Sequence, residues 1–133
     1  QCKHIARLTT VDGALVMTYD RFVFCFGAKI NTAEGQEVPT SLRLLRPVEG
    51  DAGEVVSLMD IGGTRHQSAA IFANAQPGAV AIVVSQDGGV TFFCADPESG
   101  ELLAIQQAEL AVMDDGLGAA YWNYYRVSEM ELI

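Results

Sequence analysis

The chain has 133 residues, half of them hydrophobic, which is enough for one domain with a real core and too little for a second. Eight Lys+Arg stand against seventeen Asp+Glu, and the formal net charge of −9 would repel a phosphate backbone, so general nucleic-acid binding is excluded while a small anion in a local basic pocket is not. Three cysteines at wide spacing (Cys2, Cys25, Cys94), no CxxC and only two histidines exclude a disulfide framework and a zinc site. The thiols fit a reducing compartment. The longest apolar run, Ala79 to Val84, is far shorter than the roughly 20 residues that cross a bilayer, and no signal-peptide pattern is present. A cytoplasmic protein with no membrane partner is expected. The first residue is Gln1 and the first residues already read as structural, so residues 1–133 are expected to be a single domain cut from a longer protein.

Gln1 to Leu8 has apolar positions at Ile5 and Leu8 and reads as the end of a helix, broken by Thr9-Thr10. Asp12 to Tyr19 has strand composition, and Asp20-Arg21 turns it into a second β-rich run, Phe22 to Phe26, so a hairpin is predicted. Residues 31–40 read as a loop, Ser41 to Arg46 as a short strand ended by Pro47, and residues 48–53 as exposed. Glu54 to Met59 is ambiguous and leans to a short helix. Thr64 has the residue type of an N-cap, and Arg65 to Ala75 is alanine-rich with good helix formers, stopped by Pro77-Gly78. Ala79 to Val84 is continuous and β-branched, the pattern of a strand buried on both faces. Ser85 to Gly89 turns it into Val90 to Cys94, a second hairpin. Ala95 to Gly100 is another turn, Leu102 to Met113 fits either state, and the tail after Gly118 carries Tyr121, Trp122, Tyr124 and Tyr125. Together these elements predict an α/β domain, a mixed central sheet flanked by helices.

The chemistry concentrates at Gly62-Gly63-Thr64-Arg65-His66. A helix N-terminus offers unpaired N–H groups and the positive end of the dipole, glycines let a ligand approach the backbone, and an arginine adds a forked donor. Gly-Gly-Thr is equally an ordinary loop and cap, and the order GxxxxGK[ST] is absent. Asp12-Gly13-Ala14 is a common turn sequence that, ahead of a strand, also lets a carboxylate hold a divalent cation or a hydroxyl proton. Ser85 has no neighbouring base and no GxSxG around it, so it does not read as a nucleophile. Asp114-Asp115 reads as a solvated turn. The tail aromatics, with nothing basic among them, read as a packing surface.

Taken in order, Asp12-Gly13-Ala14 opening a strand, Gly63-Thr64-Arg65-His66 opening a helix with Ala69-Ala70 behind it, and Val83-Val84-Ser85 ending a strand resemble the diadenylate cyclase domain of the DNA-integrity-scanning proteins and their bacterial relatives. The resemblance covers about residues 5 to 95. It implies a diadenylate-cyclase-like fold and a nucleotidyltransferase that condenses two ATP into the second messenger cyclic di-AMP, releasing two pyrophosphates, between two face-to-face protomers and with Mg²⁺ or Mn²⁺. On this chain it implies Asp12 beside the 3′-hydroxyl and the metal, Gly13 and Ala14 bordering the adenosine, and Gly63, Thr64, Arg65 and His66 holding phosphates. Gln67 and Ser85 would line the same pocket. Three departures accompany it. Gln67 stands where the family's second arginine usually does. Gln86 follows Ser85 where many members have a metal-binding glutamate, with Asp87 one position on as a substitute ligand. Ser41 to Glu54 reads as an insertion. These departures fit an alternative, a catalytically weakened or inactive nucleotide-binding regulatory domain of the same fold.

Overall fold

The computed structural model describes residues 13–20, 22–32, 34–47 and 52–108. The helix expected over Gln1 to Leu8, Asp12 itself, and the tail aromatics lie outside the described residues. The chain divides into two compact units, the first containing residues 1–31 and the second Thr32–Met130. Among the described residues no helix is long and apolar enough to cross a membrane.

In the first unit, strands β1 (Ala14–Met17) and β2 (Val23–Ala28) form the expected hairpin, an antiparallel two-stranded sheet. Its register shifts between Ala14 and Val16 and again before Met17, so the ribbon is irregular. The turn is tied by Thr18, whose N–H donates to the Phe22 carbonyl at 2.9 Å and whose hydroxyl also engages Asp20. Phe22, Phe24 and Phe26 alternate along β2 and are all exposed.

The second unit holds a five-stranded mixed sheet in the order β4-β3-β7-β6-β5, built from β3 (Ser41–Leu45), β4 (Glu54–Ser57), β5 (Val80–Val84), β6 (Val90–Ala95) and β7 (Leu102–Ile105). Only the β3–β7 pair is parallel; the remaining pairs are antiparallel. Helix α1 (Thr64–Ala75) packs against β5, β6 and β7. The α/β class with a mixed sheet is therefore as the sequence predicts. A row of residues crosses the sheet under the helix: Ala81 pairs with Phe93, Phe93 with Ala104, and Ala104 with Leu44. Phe93 and Ala104 are fully buried, as are Ala70 and Ala73 on the helix. Alanine is the strongest helix former and its small side chain lets the helix axis approach the sheet, so Phe93 supplies the bulk between them.

Three expectations are corrected. Glu54 to Met59 leans to helix in isolation but forms β4 followed by a 3₁₀ turn, Leu58–Asp60. The β-branched pair Val55-Val56 finds a ready partner in β3, with Leu42 opposite Val56 and Arg43 opposite Val55, and tertiary pairing overrides the weak local preference. The insertion-like stretch Ser41 to Glu54 is thus accounted for by β3 and its return toward β4. Second, β5 is not buried on both faces. It ends the strand order among the described residues, and only Val83 is fully enclosed, while Ile82 and Val84 are about 60% exposed at 61% and 59%. Its β-branched run reflects strand propensity, with the helix covering one face only. Third, Leu102 to Met113 resolves into β7 and a turn as far as Ala108, with the remainder outside the described residues.

Candidate functional site

The segment that leads into α1 is anchored by two buried apolar side chains. Leu58 and Ile61 sit in the core, and the Leu58 N–H donates to the Thr40 carbonyl at 3.0 Å. Ser57 caps the 3₁₀ turn by accepting from the Met59 N–H at 3.2 Å. The backbone then passes through Gly62 and Gly63 into the helix. The N-cap is Gly63, not Thr64 as its residue type predicts; Thr64 is the first helical residue. Gly63 has no side chain with which to cap, and its carbonyl instead accepts from the N–H groups of both His66 (3.0 Å) and Gln67 (3.2 Å), tightening the first turn.

Thr64 and Arg65 are exposed, and no hydrogen bond or ion pair engages the Arg65 guanidinium among the described residues. His66 and Gln67 are half-buried. The His66 ring meets the Phe93 ring edge-on, with centroids 6.2 Å apart, and its other flank lies over Gly62. A Cβ on Gly62 would stand 2.8 Å from His66 Nδ1, and the residue has φ +150°, so glycine is required here on two counts. Gly63, by contrast, has open space where a Cβ would project. The Gln67 side chain turns back along the helix, and its Nε2 donates to the Gly62 carbonyl at 3.3 Å.

The turn between β5 and β6 contributes the second half. Ser85 N–H donates to the Gly89 carbonyl at 2.9 Å, and Gly88 N–H donates back to the Ser85 carbonyl at 3.0 Å. The Ser85 hydroxyl has one proton and two acceptors within reach, the Gly89 carbonyl at 2.9 Å and the Asp87 carboxylate. It is a turn-forming group with no base to activate it, in keeping with the reading that it is not a nucleophile. The hydrogen bond from Ser85, then that from the Gly89 N–H, hold the Asp87 carboxyl below its ordinary range. The nearby His66 acts in the same direction, so this turn and the mouth of α1 face one another electrostatically. Gln86 is exposed in the same turn.

Of the residues singled out in the sequence, Gly63, Thr64, Arg65, His66 and Gln67 share the helix mouth, and Ser85, Gln86 and Asp87 share the turn. Gly13 and Ala14 belong to the other unit. There, Gly13 has φ +108°, and a Cβ on it would come within 2.5 Å of the Gly27 carbonyl carbon, so the Asp-Gly step owes its glycine to backbone passing close by. Asp12 lies outside the described residues. Among the described residues no group of three or more His, Cys, Asp or Glu side chains gathers in a metal-binding arrangement. No protein-family model, no curated protein and no solved structure matches the chain.

Two residues that matter to this geometry were not among the sequence candidates. Gly62 was only part of the motif's approach, although a glycine four positions before a histidine at a helix start is a readable cue for a ring folded back on the backbone. Phe93 is read locally as one more strand aromatic, and nothing near it in sequence points to His66.

Proposed function

We propose that this chain is a diadenylate cyclase module, condensing two ATP into cyclic di-AMP with release of two pyrophosphates. The observation that carries the reading is the pairing of a free arginine and outward N–H groups at the mouth of α1 with an ionised carboxylate on the facing turn. Phosphoryl transfer needs positioning and charge stabilisation more than covalent chemistry, and these groups supply both. Arg65 and the N–H groups of Gly63 and Thr64 hold phosphate oxygens. His66, wedged between Gly62 and Phe93, presents its imidazole at a fixed angle to the same anion. Asp12, Gly13 and Ala14 complete the site in this reading, Asp12 taking the proton of the attacking 3′-hydroxyl. The second ATP comes from a face-to-face protomer.

The donor set fits Mg²⁺ or Mn²⁺ shared with the substrate, because such ions bind through one or two carboxylates plus phosphate oxygens and need no all-protein cage. Asp87 and Asp12 would hold the ion, with Gln86 as a weaker neutral donor. When bound, it neutralises charge on the phosphates.

A second reading is favoured by Gln67, whose donor is spent on the Gly62 carbonyl where the resembled family has a cation. In that reading the domain binds ATP or a cyclic dinucleotide for regulation and turns nothing over. Incubation with ATP and either metal, with the product identified by mass, separates the two. The cyclase reading expects cyclic di-AMP from the wild type and its loss, by at least a hundredfold, in Asp12→Asn. Binding of nucleotide without product at high protein concentration selects the regulatory domain, and no nucleotide binding at all refutes both.

A further inference from the structure

We propose that Gln67 is a positioning residue that aims the backbone donors of the helix mouth and does not itself touch the ligand; this rests on the nucleotide-binding reading of that mouth. Residue 67 holds two consecutive carbonyls. Its side-chain amide donates to Gly62 O at 3.3 Å, and its backbone N–H donates to Gly63 O at 3.2 Å. In a planar trans peptide the C=O of one residue and the N–H of the next point in opposite directions. Holding the Gly62 carbonyl toward the helix therefore directs the Gly63 N–H away from it, and holding the Gly63 carbonyl does the same for the Thr64 N–H. Neither N–H has a hydrogen-bond partner among the described residues.

Without Gln67 the Gly62–Gly63 peptide has little to fix it. Gly63 has no Cβ and open space around it, and Gly62 is a glycine at φ +150°. Such a peptide can rotate and carry the Gly63 donor away from the mouth. The same side chain steadies the Gly62 backbone against which the His66 ring rests. A charged side chain that reached into solvent for a phosphate would leave this carbonyl unheld. The substitution of a neutral amide exchanges one long-range cation for two aimed backbone donors.

The test uses the whole chain and the variants Gln67→Met, which has similar length and no donor, and Gln67→Glu, which places an acceptor against the carbonyl. Amide ¹⁵N order parameters of Gly63 and Thr64 in the ligand-free protein are expected to fall from the rigid value of about 0.85 toward 0.6 in both variants. Calorimetry is expected to show ATP with Mg²⁺ and cyclic di-AMP each binding about fivefold more weakly to Gln67→Met, the loss that one neutral hydrogen bond corresponds to. A merely structural hydrogen bond would lower the unfolding midpoint and leave both affinities alone, which overturns the proposal. Weakened binding with unchanged order parameters also overturns it, since Gln67 would then be a direct ligand. If the wild type binds neither nucleotide, the nucleotide reading falls, and the order parameters still decide whether Gln67 holds the turn.

Discussion

Replacing Gly62 by alanine sets a steric and a conformational demand against each other at one atom. The new methyl would lie 2.8 Å from His66 Nδ1 and 2.9 Å from its Cγ, where carbon and nitrogen normally stay beyond about 3.4 Å. The ring cannot retreat freely, because Phe93, fully buried, stands against its other side. The backbone at φ +150° is also one that a side chain rarely adopts, a strain of about 1–3 kcal/mol. Taking about 2 kcal/mol, and an unfolding entropy of about 2 cal/mol/K per residue, the midpoint of a chain this size should fall by about 7 °C. Gly63→Ala is the control one residue away. Its Cβ meets nothing within 4 Å, and φ is an ordinary −73°, so only the poorer capping by alanine remains, about 0.5–1 kcal/mol. Urea unfolding gives both free energies, and the His66 ring protons report whether the imidazole has moved away from the Phe93 ring current. Equal losses for the two variants, or an unshifted His66 resonance in Gly62→Ala, would refute the account of how the histidine is held.

Two further outcomes follow from ionisation. Burial first, and Asp96 second, push the Cys94 thiol above its ordinary range, so less thiolate is present at neutral pH and alkylation should be slow. Cys25 is exposed, and peptide mass mapping after brief iodoacetamide treatment should find it modified well before Cys94. Asp87 has a folded pKa lowered from 3.8, so its stabilising contribution is complete above that value and is lost as pH falls through the lower folded one. The urea midpoints of the wild type and Asp87→Asn should therefore differ by a constant amount at pH 5 to 7 and converge below about pH 3.8; a difference independent of pH would show that the Ser85 and Gly89 hydrogen bonds do not favour the charged form.

The parts of the fold visible in the sequence are those encoded by neighbours. The β1–β2 and β5–β6 hairpins follow from strand composition around Asp20 and around Asp87-Gly88-Gly89, and α1 from its alanines and from Pro77-Gly78. What joins them is not local. The parallel β3–β7 pair brings Arg43 to Glu101, 58 residues apart, where an Nε–Oε2 ion pair of 2.9 Å bridges them, and no periodicity announces such a partner. β4 illustrates the same limit, since two valines between glutamate and leucine become strand only when β3 is beside them. At the candidate site the residue types were legible because glycine, arginine and histidine at a helix start have few uses. Their mutual arrangement was not, because the two contacts that fix His66 come from Phe93, a sheet residue, and from Gly62, whose role depends on a backbone angle.

The alanine face of α1 extends the site well beyond the residues that would touch a ligand. Ala69, Ala70 and Ala73 set how closely the helix lies on Phe93 and its neighbours, and larger side chains there would act as a wedge under a rigid rod. The rod's free end carries Thr64 to Gln67, so a methyl group added at Ala73, more than two helical turns away, tilts the donors at the mouth. In a random mutagenesis screen such substitutions would register as losses of recognition in a protein that still folds, with their origin at the far end of the helix.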